Sequence, residues 1–359
     1  VDFDYIGYCH RRHIYSQLIL KAGDFSVVGE EREKTISSVL DSFREKLLII
    51  LKNQIPTKSE NGFLGALLFG YTKDLDPALI KSYVDTGVIH IIAISGLHLA
   101  LICQFLQLGL ERFGRGKFMR WFNYILIVSI LWSYSLFSGA SPSVIRAATM
   151  FSLVLFARNI FRDSAFYNTL AASAFVLLCF DPDWLWDTGF QLSYAAVLGL
   201  GLYATPLQRL FLIRNKILQS VWKAISVSIA AQVLTTPLGI YYFHQFPVYF
   251  LFANLLAVPL SSGILAGGIL LCIFYPIRPI AGFLGWCLGL GVQSLNWMIN
   301  YFSKLPGAVI SHLTVTWPQL FCMYFIIFCL HQLLFRKQKI WLLACLSGIV
   351  VFQVFGFFG

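Results

Sequence analysis

Residues 248–275, VYFLFANLLAVPLSSGILAGGILLCIFY, run for 28 positions without a charged side chain. A helix needs roughly 20 apolar residues to cross the hydrocarbon core of a bilayer, so this stretch has length to spare for one span. Comparable runs lie on both sides of it. Reading outward places spans at 90–110, 120–138, 143–160, 165–180, 188–207, 224–243, 248–275, 280–302, 319–335 and 340–358. The fold class that follows is an all-α polytopic membrane protein with about ten transmembrane helices. Composition agrees, because 58% of the 359 residues are hydrophobic and only 12% are charged, whereas a soluble domain carries about 25% charged residues.

The formal net charge is +10, which on a soluble protein would point to a nucleic-acid partner. Here its placement points to topology. Residues 1–89 hold 11 Lys+Arg against 12 Asp+Glu, while residues 90–359 hold 16 against 5. One alternating set of loops carries Arg112, Arg115, Lys117 and Arg120, then Arg158 and Arg162, then Arg209, Arg214, Lys216 and Lys223. The same set continues with Arg278 and with Arg336, Lys337 and Lys339, fourteen basic residues in all, whereas the opposite loops hold only Lys304. Loops that stay in the cytoplasm retain Lys and Arg. The fourteen-residue side is therefore expected inside and residues 1–89 outside. Orientation alone accounts for the basic charge, which is thus no evidence for DNA binding.

The chain begins at Val1 without a basic segment ahead of an apolar one, so a piece of a longer protein is expected rather than a signal peptide. His13–Leu20, a Lys-Ala-Gly-Asp turn and Phe25–Val28 read as a β-hairpin, the end of a small extracytoplasmic β domain over 1–30. In 31–60 an amphipathic helix is expected, with Ile36, Val39, Leu40, Phe43, Leu47, Ile50 and Leu51 on one face and Arg44, Lys46 and Lys52 opposite. It would pack on the extracellular domain or lie flat on the membrane. The segment 61–69 is apolar but too short to span, and Asp76 with Pro77 should start a short helix. Ala195/Gly199 and Gly285/Gly289 have the small-xxx-small spacing that brings helices close in lipid. Pro237 and Pro259 interrupt their spans. Seven of the eight cysteines (Cys103, Cys179, Cys272, Cys287, Cys322, Cys329 and Cys345) lie in apolar runs, with no C-x-x-C pair, and read as small buried hydrophobes.

Polar groups inside spans are costly unless paired or wetted, so they are the candidate site. The first set is Ser95, Gly96 and His98, where serine and histidine three residues apart share a helical face. The second is Arg146 in SPSVIRA, whose charge must snorkel, pair or face water, with Ser141 as a helix cap and Pro142 behind it. The third is Asp181 and Asp187 with Gln191, Ser193 and Tyr194 in DPDWLWDTGFQLSY, where Asp187 is the natural partner of Arg146. The fourth comprises Gln232, Thr235 and Thr236 before Pro237, then His244, and Asn254 before Pro259. Each set has an ordinary reading as interhelical packing and a second reading as a polar pathway. No catalytic residue, metal site or cofactor is expected from them.

Taken in order, HIIAISGLHLAL at 90–101, SPSVIRA at 141–147, DPDWLWDTGFQLSYAAVLGL at 181–200, QVLTTPL at 232–238 and NLLAVPL at 254–260 resemble the competence domain of bacterial ComEC-type DNA-internalisation proteins. The resemblance implies a transmembrane competence domain over 61–338 with a last helix at 339–359, preceded by the end of an OB-like β domain. It implies a channel in the bacterial cytoplasmic membrane that admits one DNA strand during natural transformation. Single-stranded DNA, the lipid bilayer, a DNA receptor, a cytoplasmic helicase or translocase and further copies of the chain are then the expected partners. Ser95, Gly96, His98, Arg146, Asp181, Asp187, Gln191 and Asn254 are the motif positions it carries over. Many members add a metallo-β-lactamase-like nuclease domain. No H-x-H-x-D-H string occurs here, so the expectation is a conduit and not an enzyme. Two other readings stay open: a secondary transporter or exporter of a small solute, and an intramembrane hydrolase built on Ser95 and His98.

Overall fold

Backbone amides in lipid have no water to turn to, so spanning segments must satisfy them internally, and helices do so. The computed structural model describes residues 5, 7, 9, 14–18, 36–55, 57–92, 94–110, 116–160, 166–211 and 213–358, and among these it is almost entirely helical. Of the hairpin expected over 13–28, only residues 14–18 are described, and they have no regular structure. Tyr5, Gly7 and Cys9, within the same expected β domain, are helical rather than extended, and the other residues of 1–30 lie outside the described residues.

The helices are α1 (Ile36–Gln54), α2 (Lys58–Phe69), α3 (Pro77–Asp85), α4 (Ile89–Ile92), α5 (Gly96–Leu110), α6 (Lys117–Phe137) and α7 (Pro142–Ile160). They continue with α8 (Phe166–Phe180), a 3-10 turn (Pro182–Trp186), α9 (Thr188–Gln208), α10 (Lys216–Phe243), α11 (Phe250–Phe274), α12 (Arg278–Ser303), α13 (Trp317–Phe335) and α14 (Ile340–Phe358). Nine of the ten expected spans each fall on a single helix, and the first falls on two. On length and composition alone, α7, α10, α11 and α13 are long and apolar enough to cross a membrane, and α5, α8 and α14 are shorter apolar helices.

One expected span is interrupted. Helix α4 stops at Ile92 and α5 begins at Gly96, with Ile94 and Ser95 outside helical structure. Around this break the chain forms one of three apolar cores. The largest gathers α1, α2, α3, α4, α11 and α12 around Leu51, Phe63, Tyr83, Leu265 and Leu295. A second joins α5, α6 and α7 through Leu99, Leu131 and Val144. The third joins α9, α10 and α13 around Tyr203, Ala230 and Leu234. Helix α2 is buried on every side from Asn61 to Phe69, which explains an apolar run too short to span: it is a core helix. Asp76 caps α3 by accepting from the Ala78 amide at 2.9 Å, with Pro77 behind it, as its sequence predicts.

Several expectations are corrected. Arg44 lies on the packed face of α1, where its Nε donates to the Phe137 carbonyl at 3.2 Å, and Val39 and Phe43 are left exposed. The apolar face was drawn about one position off, because a guanidinium stem buries well when a helix-end carbonyl takes its charge. At Gly199 a Cβ would run into the Ala230 carbonyl, so α9 and α10 do approach closely. Gly285 instead faces the end of α1, where a Cβ would stand 2.9 Å from Gln54 Cβ, and Gly289 faces open space. Cys179 and Cys287 are exposed rather than buried. The loops before α11 and α13 also pair as two short antiparallel strands, β1 (Phe246–Pro247) and β2 (Val309–Ile310).

Candidate functional site

The site is built where helices start. At the α4–α5 break, the His98 backbone amide bonds to the Ser95 carbonyl, and the Ser95 amide donates to His98 Nδ1 at 3.1 Å. This is half of a capping box, with histidine at the position usually held by Glu or Gln. An accepting Nδ1 is unprotonated, so the neutral ring carries its proton on Nε2. That Nε2 and the Ser95 hydroxyl are both buried without a hydrogen-bond partner. The expected shared face of Ser95 and His98 is thus a cap rather than a turn of continuous helix.

Helix α7 packs directly on this break. Ser143 Oγ donates to the Ile94 carbonyl at 3.0 Å, and a Cβ at Gly96 would lie 3.5 Å from Ala147 Cβ. Ser141 contributes its carbonyl to the Val144 amide, while its hydroxyl pairs with that of Ser143 at 3.3 Å. One turn further in, Arg146 is 4% exposed. Its Nη1 lies 3.5 Å from Asp187 Oδ1, and its Nε has no partner. Of the three fates open to this charge, pairing with Asp187 is the one found. Asp187 has a second duty as the cap of α9, accepting from the Phe190 amide at 2.8 Å, so one carboxylate fixes both a helix start and a buried cation.

Gly189 completes the arrangement. A Cβ there would stand 3.1 Å from Arg146 Nη2 and 3.1 Å from Asp187 Oδ1, so the guanidinium lies against bare backbone. Gln191 extends the network: its Nε2 donates to the Leu185 carbonyl at 2.8 Å and its Oε1 accepts from Tyr242 at 2.9 Å. Tyr194 shares a hydrogen bond with Ser173 at 3.0 Å. The 3-10 turn and helices α7 to α10 are thereby tied by polar groups near the starts of α7 and α9. Gly189, Ser173 and Tyr242 were not singled out in sequence. Only Gly189 offered a signal, as the glycine two residues after a capping aspartate.

Other candidates stand apart. Asp181 caps the 3-10 turn through the Asp183 amide at 3.0 Å, and Ser193 donates to the Phe190 carbonyl of its own helix at 3.0 Å. Gln232 lies ten residues from Tyr242 along α10, about 15 Å at 1.5 Å per residue, and its carbonyl accepts from Thr235 and Thr236. Asn254 sits in α11 with its Oδ1 buried and unpartnered. Among the described residues, no three His, Cys, Asp or Glu side chains gather as metal ligands.

This geometry spans a segment that a family model, described as competence protein, matches over residues 67–337. The chain belongs to the competence protein family. Within that family it is 31% identical over 278 residues to ComE operon protein 3 of Bacillus subtilis, covering 75% of this chain and 33% of that protein. Recombination protein 2 of Haemophilus influenzae is 26% identical over 300 residues, 79% of this chain and 38% of that one. Protein YcaI of Escherichia coli, called uncharacterized, is 28% identical over 235 residues, 62% of this chain and 30% of that one. This competence protein thus spans about a third of the length of the curated relatives it matches. No solved structure matches it. The matched segment runs from α2 to α13 and contains each polar constellation described above.

Proposed function

We propose that this competence protein conducts a single DNA strand across the cytoplasmic membrane, through ten spans oriented with their basic loops inside. The observation that carries the reading is the family match, which encloses a buried cation held at the starts of two neighbouring helices. In the proposed orientation those helix starts lie at the outer face. The Arg146–Asp187 pair is long at 3.5 Å, and the Asp187 side chain is 35% exposed against 5% for Arg146. An arriving phosphodiester would compete with the carboxylate for the guanidinium, whose fork geometry suits phosphate oxygens. The rest of the wall offers neutral hydroxyls and amides, which favour passage over tight retention.

Replacing Arg146 with Glu reverses the charge beside Asp187. Labelled DNA should then accumulate outside the membrane, with cytoplasmic entry lowered at least tenfold while the protein is still inserted. Unchanged entry would overturn the role of Arg146. Conduction itself is tested by deleting the gene: normal entry of labelled DNA would exclude it. Flux of a small solute lost in the same strain would favour the transporter reading instead.

A further inference from the structure

A cavity of about 180 Å³ opens where the ends of α5 and α7 meet the start of α6, at the opposite end of α7 from Arg146. Arg120 and Arg158 both line it, joined by the amides of Asn123, Asn159 and Gln107 and the hydroxyl of Tyr124. Apolar wall comes from Leu110, Ile127 and Leu155. Among the described residues no carboxylate lines it and neither guanidinium is in an ion pair. Asn123 donates to the Leu110 carbonyl at a long 3.4 Å, and its Oδ1 is buried with no partner. Gln107 Nε2 is turned to Cys103 Sγ at 3.5 Å, so the charge that the lining offers to a compact anion is that of the two guanidinium groups.

The surroundings say which anion. Trp121, Tyr124 and Phe156 form a ring cluster beside the cavity, with centroids 5.7 to 6.2 Å apart. Next to them Phe118, Phe122 and Ile125 are exposed, the first at 82%. Aromatic side chains of this kind gather at headgroup depth, and exposed apolar neighbours on the same helix mark a surface that meets acyl chains. Two cations beside an exposed aromatic helix face match the basic pockets between transmembrane helices that hold acidic lipid headgroups. The charged loops that flank it are those expected in the cytoplasm. We infer that this cavity binds the phosphate headgroup of an anionic phospholipid from the cytoplasmic leaflet, fixing the inner ends of α5, α6 and α7. The inference uses the proposed orientation and is independent of whether DNA passes.

The test uses the full chain purified in neutral detergent with phosphatidylcholine. Phosphatidylglycerol is titrated in, and thermal midpoint and bound lipid by native mass spectrometry are recorded. The expected result is a raised midpoint and one retained phosphatidylglycerol per chain. Arg120→Gln/Arg158→Gln should weaken that apparent affinity by about tenfold or more, since each cation near a lipid surface is worth about 1 kcal/mol. Lys216→Gln/Lys223→Gln, at a distant basic loop, should leave it unchanged. Both single Arg→Gln variants, each of which leaves one guanidinium in place, are read alongside, so that a double variant which fails to fold does not close the question. Equal phosphatidylglycerol binding by wild type and cavity variants would overturn the site. Displacement of the lipid by a short single-stranded oligonucleotide at micromolar concentration would overturn the choice of lipid and assign the cavity to nucleic-acid phosphate. A failure of DNA uptake or of the assumed orientation appears in cells and leaves this binding result intact.

Discussion

At the scale of single residues, the decisive contact is Arg146 with Asp187. Removing one partner of a fully buried ion pair costs about 3–5 kcal/mol, whereas removing both by apolar groups is often close to neutral; with the Asp187 side chain 35% exposed, the cost here is smaller. Asp187 also caps α9, so Asp187→Ala should lower stability more than Asp187→Asn, which keeps an acceptor for the Phe190 amide. Arg146→Met combined with Asp187→Asn should recover most of the loss. Thermal unfolding of detergent-purified protein reads all three, and a double variant as unstable as Asp187→Ala would show that the pair is not the source of the cost. This contact was legible in the sequence because both residues lie at the starts of spans two apart, which alternation places on one side. Its surroundings were not. That Gly189 leaves room for the guanidinium, and that Tyr242 reaches Gln191 across 51 residues, depend on how α9 and α10 rotate against each other, and periodicity does not give that angle.

At the scale of elements, the break between α4 and α5 shows what an apolar run conceals. HIIAISGLHLAL has no charge and no proline, so hydropathy reads one span, yet Ser-Gly followed by a side chain able to accept at the third helical position is also a helix start. His98 closes that start through Nδ1. Glutamine is an ordinary occupant of the same capping position, so His98→Gln should hold α5 in register and preserve stability. His98→Leu should lose about 1 kcal/mol and loosen the break, measured by hydrogen exchange at the amides of 95–98. Faster exchange in the leucine variant alone is the expected pattern; equal rates in both variants would remove the cap from the account. Helix α1 gives the complementary lesson. Its periodicity is amphipathic, but Arg44 takes the packed face in place of Val39 and Phe43 because the Phe137 carbonyl at the end of α6 needs a donor, a demand set 93 residues away.

At the scale of the whole molecule, four helices are long and apolar enough to cross a membrane and three more are shorter apolar helices, and the ten-span threading is a proposal that rests on charge. Fourteen Lys and Arg on one set of loops against Lys304 on the other make a reversed insertion unfavourable, because each cation moved outward opposes the positive-inside bias. In the proposed orientation the Arg146 pair lies at the outer face and the Arg120–Arg158 cavity at the inner one, on opposite ends of the same helix α7. In a background with the native cysteines replaced, including the exposed Cys179 and Cys287, single cysteines at Lys304 and Lys216 separate the two arrangements. A membrane-impermeant maleimide applied to spheroplasts should label Lys304→Cys and reach Lys216→Cys only after the membrane is opened. The inverse pattern would turn the bundle over. It would carry Arg146 and Asp187 to the cytoplasmic face, where an incoming strand would meet them last rather than first, and the proposed competition between phosphate and carboxylate at the entrance would no longer describe entry.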